Sequence, residues 1–293
     1  MTSQKTFSLV ESYVNKIPAF PVTVSKVINI CDDENASPAD LNKVISLDPV
    51  LTGKILKLIN SAYFGLSPKI VSLARAIIML GMNTVKNLVL STAIMSSLGN
   101  RTNFKALNMN AFWRHSIGVG ILSKLIAKER QISQSKLEEY FIAGLLHDIG
   151  KIPLNSKLTD KYEMAIDTSE REYRPLYLSE ISALEMDHTQ SGRLIAEKWK
   201  LGPEITDTVT YHRATENYRG EQKDILYTVN LANYFANISD IGFSGDPYPE
   251  DVVPNVFESL FERSNIALDF LENITDEVNL EIEKAQIFLQ IAE

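Results

Sequence analysis

One cysteine in 293 residues rules out an internal disulfide, and a reducing cytoplasm is the expected setting. Histidine is nearly as scarce, with four in the chain, all beyond position 110. No apolar run approaches the roughly 18 residues of a membrane span. The polar start Met1-Thr2-Ser3-Gln4-Lys5 is no signal peptide, so no membrane association is expected. Basic excess is missing as well: 29 Lys and Arg face 37 Asp and Glu, a net charge of -8. That balance argues against a sequence-independent nucleic-acid binder, which needs a basic stripe. No alternating β pattern of any length occurs, nor a repeat at solenoid period, a low-complexity tract, a phosphate-cradling glycine loop or a nucleophile elbow. What remains is an ordinary globular composition, 45% hydrophobic and 23% charged, with ample length for a core.

Helical punctuation fills the chain. After a short lead-in and Ile17-Pro18-Ala19-Phe20-Pro21, the residues Val24, Val27, Ile28 and Cys31 recur at helical spacing. Ser37-Pro38-Ala39-Asp40 reads as a helix start, with a capping serine, an early proline and an acid at the positive end. Asp48-Pro49 repeats the device, Asn60 to Gly65 breaks the helix begun there, and Ser72 caps the next. The first hundred residues therefore predict a bundle of about five helices. Gly99-Asn100-Arg101-Thr102-Asn103 is the best boundary candidate, dividing the chain into units 1–100 and 101–293. Residues 155–180 are polar and predict a loop or short helices, Ser244 to Pro249 is turn-rich, and two amphipathic helices carrying Phe257, Leu268, Phe270, Leu271 and Ile287 are expected at the end. Trp113, Trp199 and Cys31 read as core residues.

The stretch from Tyr140 to Lys151 organises the rest. It is an apolar run ending in His147-Asp148-Ile149-Gly150-Lys151. Gly144 would let a neighbouring backbone approach, and Gly150 is placed to end the helix in a left-handed cap. His147 and Asp148 then sit in the last turn of a buried helix, where adjacent side chains diverge by about 100 degrees. They can share a metal only if other helices complete its ligands. His115, His188 and His212 each fall on the inward face of a different predicted helix. Taken singly, each reads as a core histidine bonded to backbone. Taken with Asp148, the four fit ligands converging on Fe, Mn or Zn. Lys151 is open to two readings, a partner for a phosphate or an acid and a solvated lysine at the negative pole of a helix.

The order of Ile17-Pro18-Ala19-Phe20-Pro21, Ser46 to Leu51, Leu58 to Tyr63 and Ala76 to Gly81 resembles the HDOD family, over about residues 17–212. These are bacterial signal-transduction modules related to the HD superfamily of metal-dependent phosphohydrolases. The resemblance implies an all-α fold, an N-terminal helical bundle followed by an HD-like domain. It also implies that His115, His147 and Asp148 match the first three HD ligands, and that His188 and His212 match the extra histidines of the two-metal subgroup. Asn233 stands where HD enzymes carry the final aspartate. A neutral amide coordinates weakly and is no base toward a water nucleophile. The histidine pair of the two-metal subgroup is reduced to Tyr211-His212, and the glycine-tyrosine-proline signature of cyclic di-GMP phosphodiesterases does not come after it.

The expected function is thus a cytoplasmic signalling module that binds other proteins and keeps a metal-capable pocket impaired in catalysis. Its candidate catalytic residues are His147, Asp148 and Lys151. No receiver, cyclase or kinase segment is attached, so input is expected from partners or from a nucleotide or other ligand. The alternative is a metal-dependent phosphohydrolase acting on a nucleotide or cyclic nucleotide, and Asn233 discriminates between the two.

Overall fold

The computed structural model describes residues 3–98, 105–249, 252, 254–261, 274 and 277–292. The fold is all-α, with no strand among these residues. Six helices form the N-terminal part: α1 (Ser3–Lys16), α2 (Val22–Cys31), α3 (Pro38–Ile45), α4 (Pro49–Ile59), α5 (Leu73–Leu80) and α6 (Met82–Leu98). The caps act where the residues place them. Ser37 and Asp40 form a reciprocal capping box at α3, Asp48 accepts from Leu51 N at α4, and Ser72 accepts from Arg75 N at α5. The expected lead-in is instead a full helix, because Val10, Tyr13 and Val14 give α1 a buried stripe.

Asn60 closes α4 and clamps the segment leading to α5. Its Nδ2 donates to Leu56 O (2.9 Å) and Ile70 O (2.8 Å), and its Oδ1 accepts from Ile70 N (2.7 Å). The stretch between Asn60 and Ile70 is thereby tied at both ends by one side chain.

The second part comprises α7 (Met109–Glu129), α8 (Leu137–Leu146), α9 (Lys151–Lys157), α10 (Thr159–Glu172), α11 (Leu176–Leu184), α12 (His188–Trp199), α13 (Pro203–Tyr211) and α14 (Lys223–Ile238). After these come α15 (Pro254–Leu260), a helical stretch over 277–285 and the last helix, Ile287–Ala292. The polar region expected to be loop or short helices holds two packed helices, α10 and α11. Tyr162, Ala165 and Leu176 are each fully buried, and this sparse stripe is enough to anchor a surface-facing helix pair. The boundary candidate at 99–103 lies outside the described residues, as do Leu268, Phe270 and Leu271 of the expected terminal helices. Contacts join the two parts: Lys198 donates to Val14 O (2.6 Å) and Ile17 O (2.8 Å), and Trp199 stacks on Phe20 at 4.8 Å between centroids. Both tryptophans are buried, whereas Cys31 is half-buried, with burial pushing its thiol up to about 11.

Candidate metal centre

Two glycine contacts set the centre. A Cβ on Gly144 of α8 would crowd the Gly120 backbone of α7 (2.8 Å to Cα), so the two helices run close together and bring His115 towards His147. Gly150 is not the left-handed cap expected of it: its φ is -69° and ψ is -14°. The chain passes through it in right-handed conformation straight into α9. Glycine is required for a different reason. Any Cβ there would collide with the His188 carbonyl and the Gly192 backbone of α12. That close approach carries His188 to Asp148.

α8 itself ends at Leu146, so His147 caps it and Asp148 lies in the turn between α8 and α9. His188 is the first residue of α12, fixed there by a capping box of Asp187 with Gln190. His212 directly succeeds α13, and His115 lies nearly two turns into α7.

All four histidines are oriented in one way. His115 Nδ1 lies 3.1 Å from Ile241 O, His147 Nδ1 2.7 Å from Gly144 O, and His212 Nδ1 3.1 Å from Thr208 O. His188 Nδ1 lies 2.6 Å from Glu180 Oε2. Each of these partners is an acceptor, and with the proton on Nδ1 each neutral imidazole presents its Nε2 lone pair inward. Three of those Nε2 atoms converge on Asp148. His147 Nε2 is 3.3 Å from its Oδ2, and His188 and His212 Nε2 are each 3.3 Å from its Oδ1. Asn233 Oδ1 meets His115 Nε2 at 3.0 Å.

Two triads result, His115–His147–Asp148 and Asp148–His188–His212, in each of which the ligand atoms lie within 4.8 Å of one another. His147 Nε2 and Asp148 Oδ1 are buried and make no hydrogen bond within the protein. Inward lone pairs packed against a carboxylate repel one another, and a bound cation resolves that repulsion. The donor set of imidazoles and one carboxylate suits Fe, Mn or Zn. On these grounds the residues fit a metal ion.

Burial holds His115 and His212 in the neutral form. Burial first, and His147 second, press the His115 imidazole down to about 3. Burial brings His212 down to about 3 as well. Burial would push the Asp148 carboxyl up, but His147 and Lys151 beside it outweigh that and hold it well below the usual carboxylate range.

Lys151 is no solvated lysine. It is fully buried and donates to Asp148 Oδ2 (2.7 Å), Ser244 O (3.0 Å) and Ser244 Oγ (3.1 Å). The first residue of a new helix turns its side chain inward here because Asp148 lies three positions before it. The segment carrying Ser244 forms a strap over the centre. Ile241 O and Phe243 N engage α7 through His115 and Ala111, and Asp246 accepts from Leu176 N (3.0 Å) while pairing with Arg213 (2.7 Å). Sequence reasoning missed Glu180, Ser244 and Asp246. Their signals are weak: an acid in a polar stretch, and a turn.

The sequence from residue 17 to 215 matches the family model for the HDOD domain. The chain belongs to the HDOD family. Its fold is similar to an HDOD domain protein of unknown function from Geobacter sulfurreducens, with a TM-score of 0.72, 22% identity and 98% of each chain covered. It is also similar to a candidate phosphohydrolase from Shewanella amazonensis, with a TM-score of 0.69, 20% identity and 97% and 98% of the two chains covered. An uncharacterised protein of Treponema pallidum is 24% identical over 261 residues, 88% of this chain and 49% of that protein. The chain thus spans about half the length of this curated relative.

Proposed function

We propose that this HDOD chain is a regulatory signalling module that acts by binding other proteins and keeps an ion-holding HD pocket without phosphohydrolase turnover. The observation that carries this reading is the seal over the centre. His147, Asp148, Lys151, His188 and His212 have no exposed surface, and His115 and Asn233 are 1% and 3% exposed. A nucleotide phosphate cannot reach Asp148 while Ser244 holds Lys151 and the strap is packed on α7 and α11. Asn233 adds to this, since the position facing His115 brings no negative charge and no base.

A bound dication would supply Lewis acidity and charge to the pocket. The chain's own residues then do structural work: four imidazoles hold their lone pairs inward, Asp148 bridges the two halves, and Lys151 neutralises its carboxylate. Support for a protein-binding role comes from the N-terminal helices. Val22, Leu47, Val50, Val71 and Ile78, on those helices and the turns between them, are each at least 70% exposed.

The second reading is a metal-dependent phosphohydrolase acting on a nucleotide or cyclic nucleotide. It is favoured by the two triads sharing Asp148, a donor arrangement suited to a pair of ions. Cytoplasmic location suits both readings. A panel of nucleotides and cyclic nucleotides, with added manganese or iron, separates them. Wild type should release no more phosphate or ring-opened product than His147→Ala. Robust wild-type hydrolysis that disappears in His147→Ala would establish the phosphohydrolase instead.

A further inference from the structure

The two triads are not equivalent, because the two oxygens of Asp148 are used differently. Oδ2, on the His147 side, already receives the Lys151 ammonium at 2.7 Å. Oδ1, on the side of His188 and His212, is buried and makes no hydrogen bond. The Lys151 ammonium is held in place by Ser244 O and Oγ as well, so it is a fixed charge and not a loose one. On that same side Asn233 offers only an amide oxygen, which Asn237 Nδ2 already engages at 3.0 Å.

The opposite side is built for a cation. Glu180, fully buried, accepts through Oε2 from both His188 Nδ1 (2.6 Å) and His188 N (2.9 Å). A carboxylate behind an imidazole fixes its tautomer and makes the far nitrogen a stronger donor. His188 Nε2 and His212 Nε2 stand 3.4 Å apart, and with both Nδ1 atoms committed neither has a proton to give the other. Two lone pairs and an unpartnered carboxylate oxygen therefore converge, with a second buried carboxylate one imidazole away.

We propose that the pocket holds one transition-metal dication, on Asp148 Oδ1, His188 and His212, and that Lys151 is the cation of the other half. Glu180 is a positioning residue for this site. The proposal rests on the ion-holding reading of the pocket, and the experiment separates the failure of one from the failure of the other. Ligand charge decides the side: Asp148 and Glu180 act on the His188 half, whereas Lys151 repels a dication from the His147 half at short range in a poorly screened interior.

The test is zinc reconstitution of the full chain, with crystallographic anomalous scattering to locate the ion and chelator competition to measure affinity. Wild type should show one zinc per chain, placed between Asp148, His188 and His212. Glu180→Gln keeps an acceptor for His188 and removes the charge, and should weaken zinc by about 10- to 100-fold. Lys151→Met should admit a second zinc beside His115 and His147. Where Lys151→Met does not fold, Asn233→Asp serves for the same gain. An anomalous peak beside His115 and His147 in wild type, two ions in wild type, or unchanged affinity in Glu180→Gln would overturn the proposal. No zinc bound by any variant would overturn the ion-holding reading itself.

Discussion

His115 Nε2 and Asn233 Oδ1 lie 3.0 Å apart, and neither has a proton free for the other. The histidine gives its single proton through Nδ1 to Ile241 O, and Asn237 Nδ2 fixes the asparagine oxygen from behind. An aspartate at 233 would place a negative charge against that lone pair. Asn233→Asp should therefore hold metal more tightly through dialysis against a chelator, measured by elemental analysis. Hydrolysis should stay at background, because the strap still seals the pocket. Metal retention no better than wild type would contradict this description of the His115 side.

Gly150 lies against α12 with no room for a side chain. Gly150→Ala should cost about 3 kcal/mol of stability, at the upper end for forcing atoms into a packed interior. Urea unfolding reads the loss, and metal affinity should fall with it because His188 is displaced. A variant with wild-type midpoint would show that α9 and α12 separate without consequence.

Asn60 makes three hydrogen bonds that bridge Leu56 and Ile70. Asn60→Ala removes the side-chain partner of Ile70 N and O, while Leu56 O keeps the backbone N–H of residue 60, and should lower stability by about 2 kcal/mol. Metal content should not change, since the clamp is remote from Asp148. An unchanged melting temperature would mean that the segment is held by its apolar contacts alone.

His115 and His212 titrate near 3 in the fold against an ordinary value of 6.5, burial being the main cause in both. The unfolded chain then binds more protons than the native one across that window. Stability of the metal-free protein is full above about pH 6.5 and falls as pH drops, by about 1.4 kcal/mol per pH unit for each of the two groups. Asp148, also held low, extends the loss at the acid end. Denaturation midpoints with chelator present, at constant ionic strength from pH 7 to 4, test this; a flat profile would contradict it.

Much of the fold was legible because local signals coincide with it. Ser37, Asp48 and Ser72 cap helices by hydrogen bonds to residues three positions on, which spacing alone can specify. The inward faces of α7 and α12 put His115 and His188 in the interior for the same reason. The features that escaped were set by distant segments. Gly150 looked like a cap, yet its demand comes from α12. Spacing leaves Lys151 open between an acid partner and solvent; the partner is Asp148, and Ser244, 93 positions away, completes its burial. Glu180 lay in a polar stretch whose single buried stripe was too thin to read as two helices.

Elemental analysis of protein purified without a metal-affinity tag tests the ion-holding pocket most directly. Wild type should carry about one equivalent of iron, manganese or zinc, and Asp148→Ala, which removes the carboxylate shared by both triads, should carry little. Metal below about a tenth of an equivalent in wild type, even after reconstitution, would contradict an ion-holding centre.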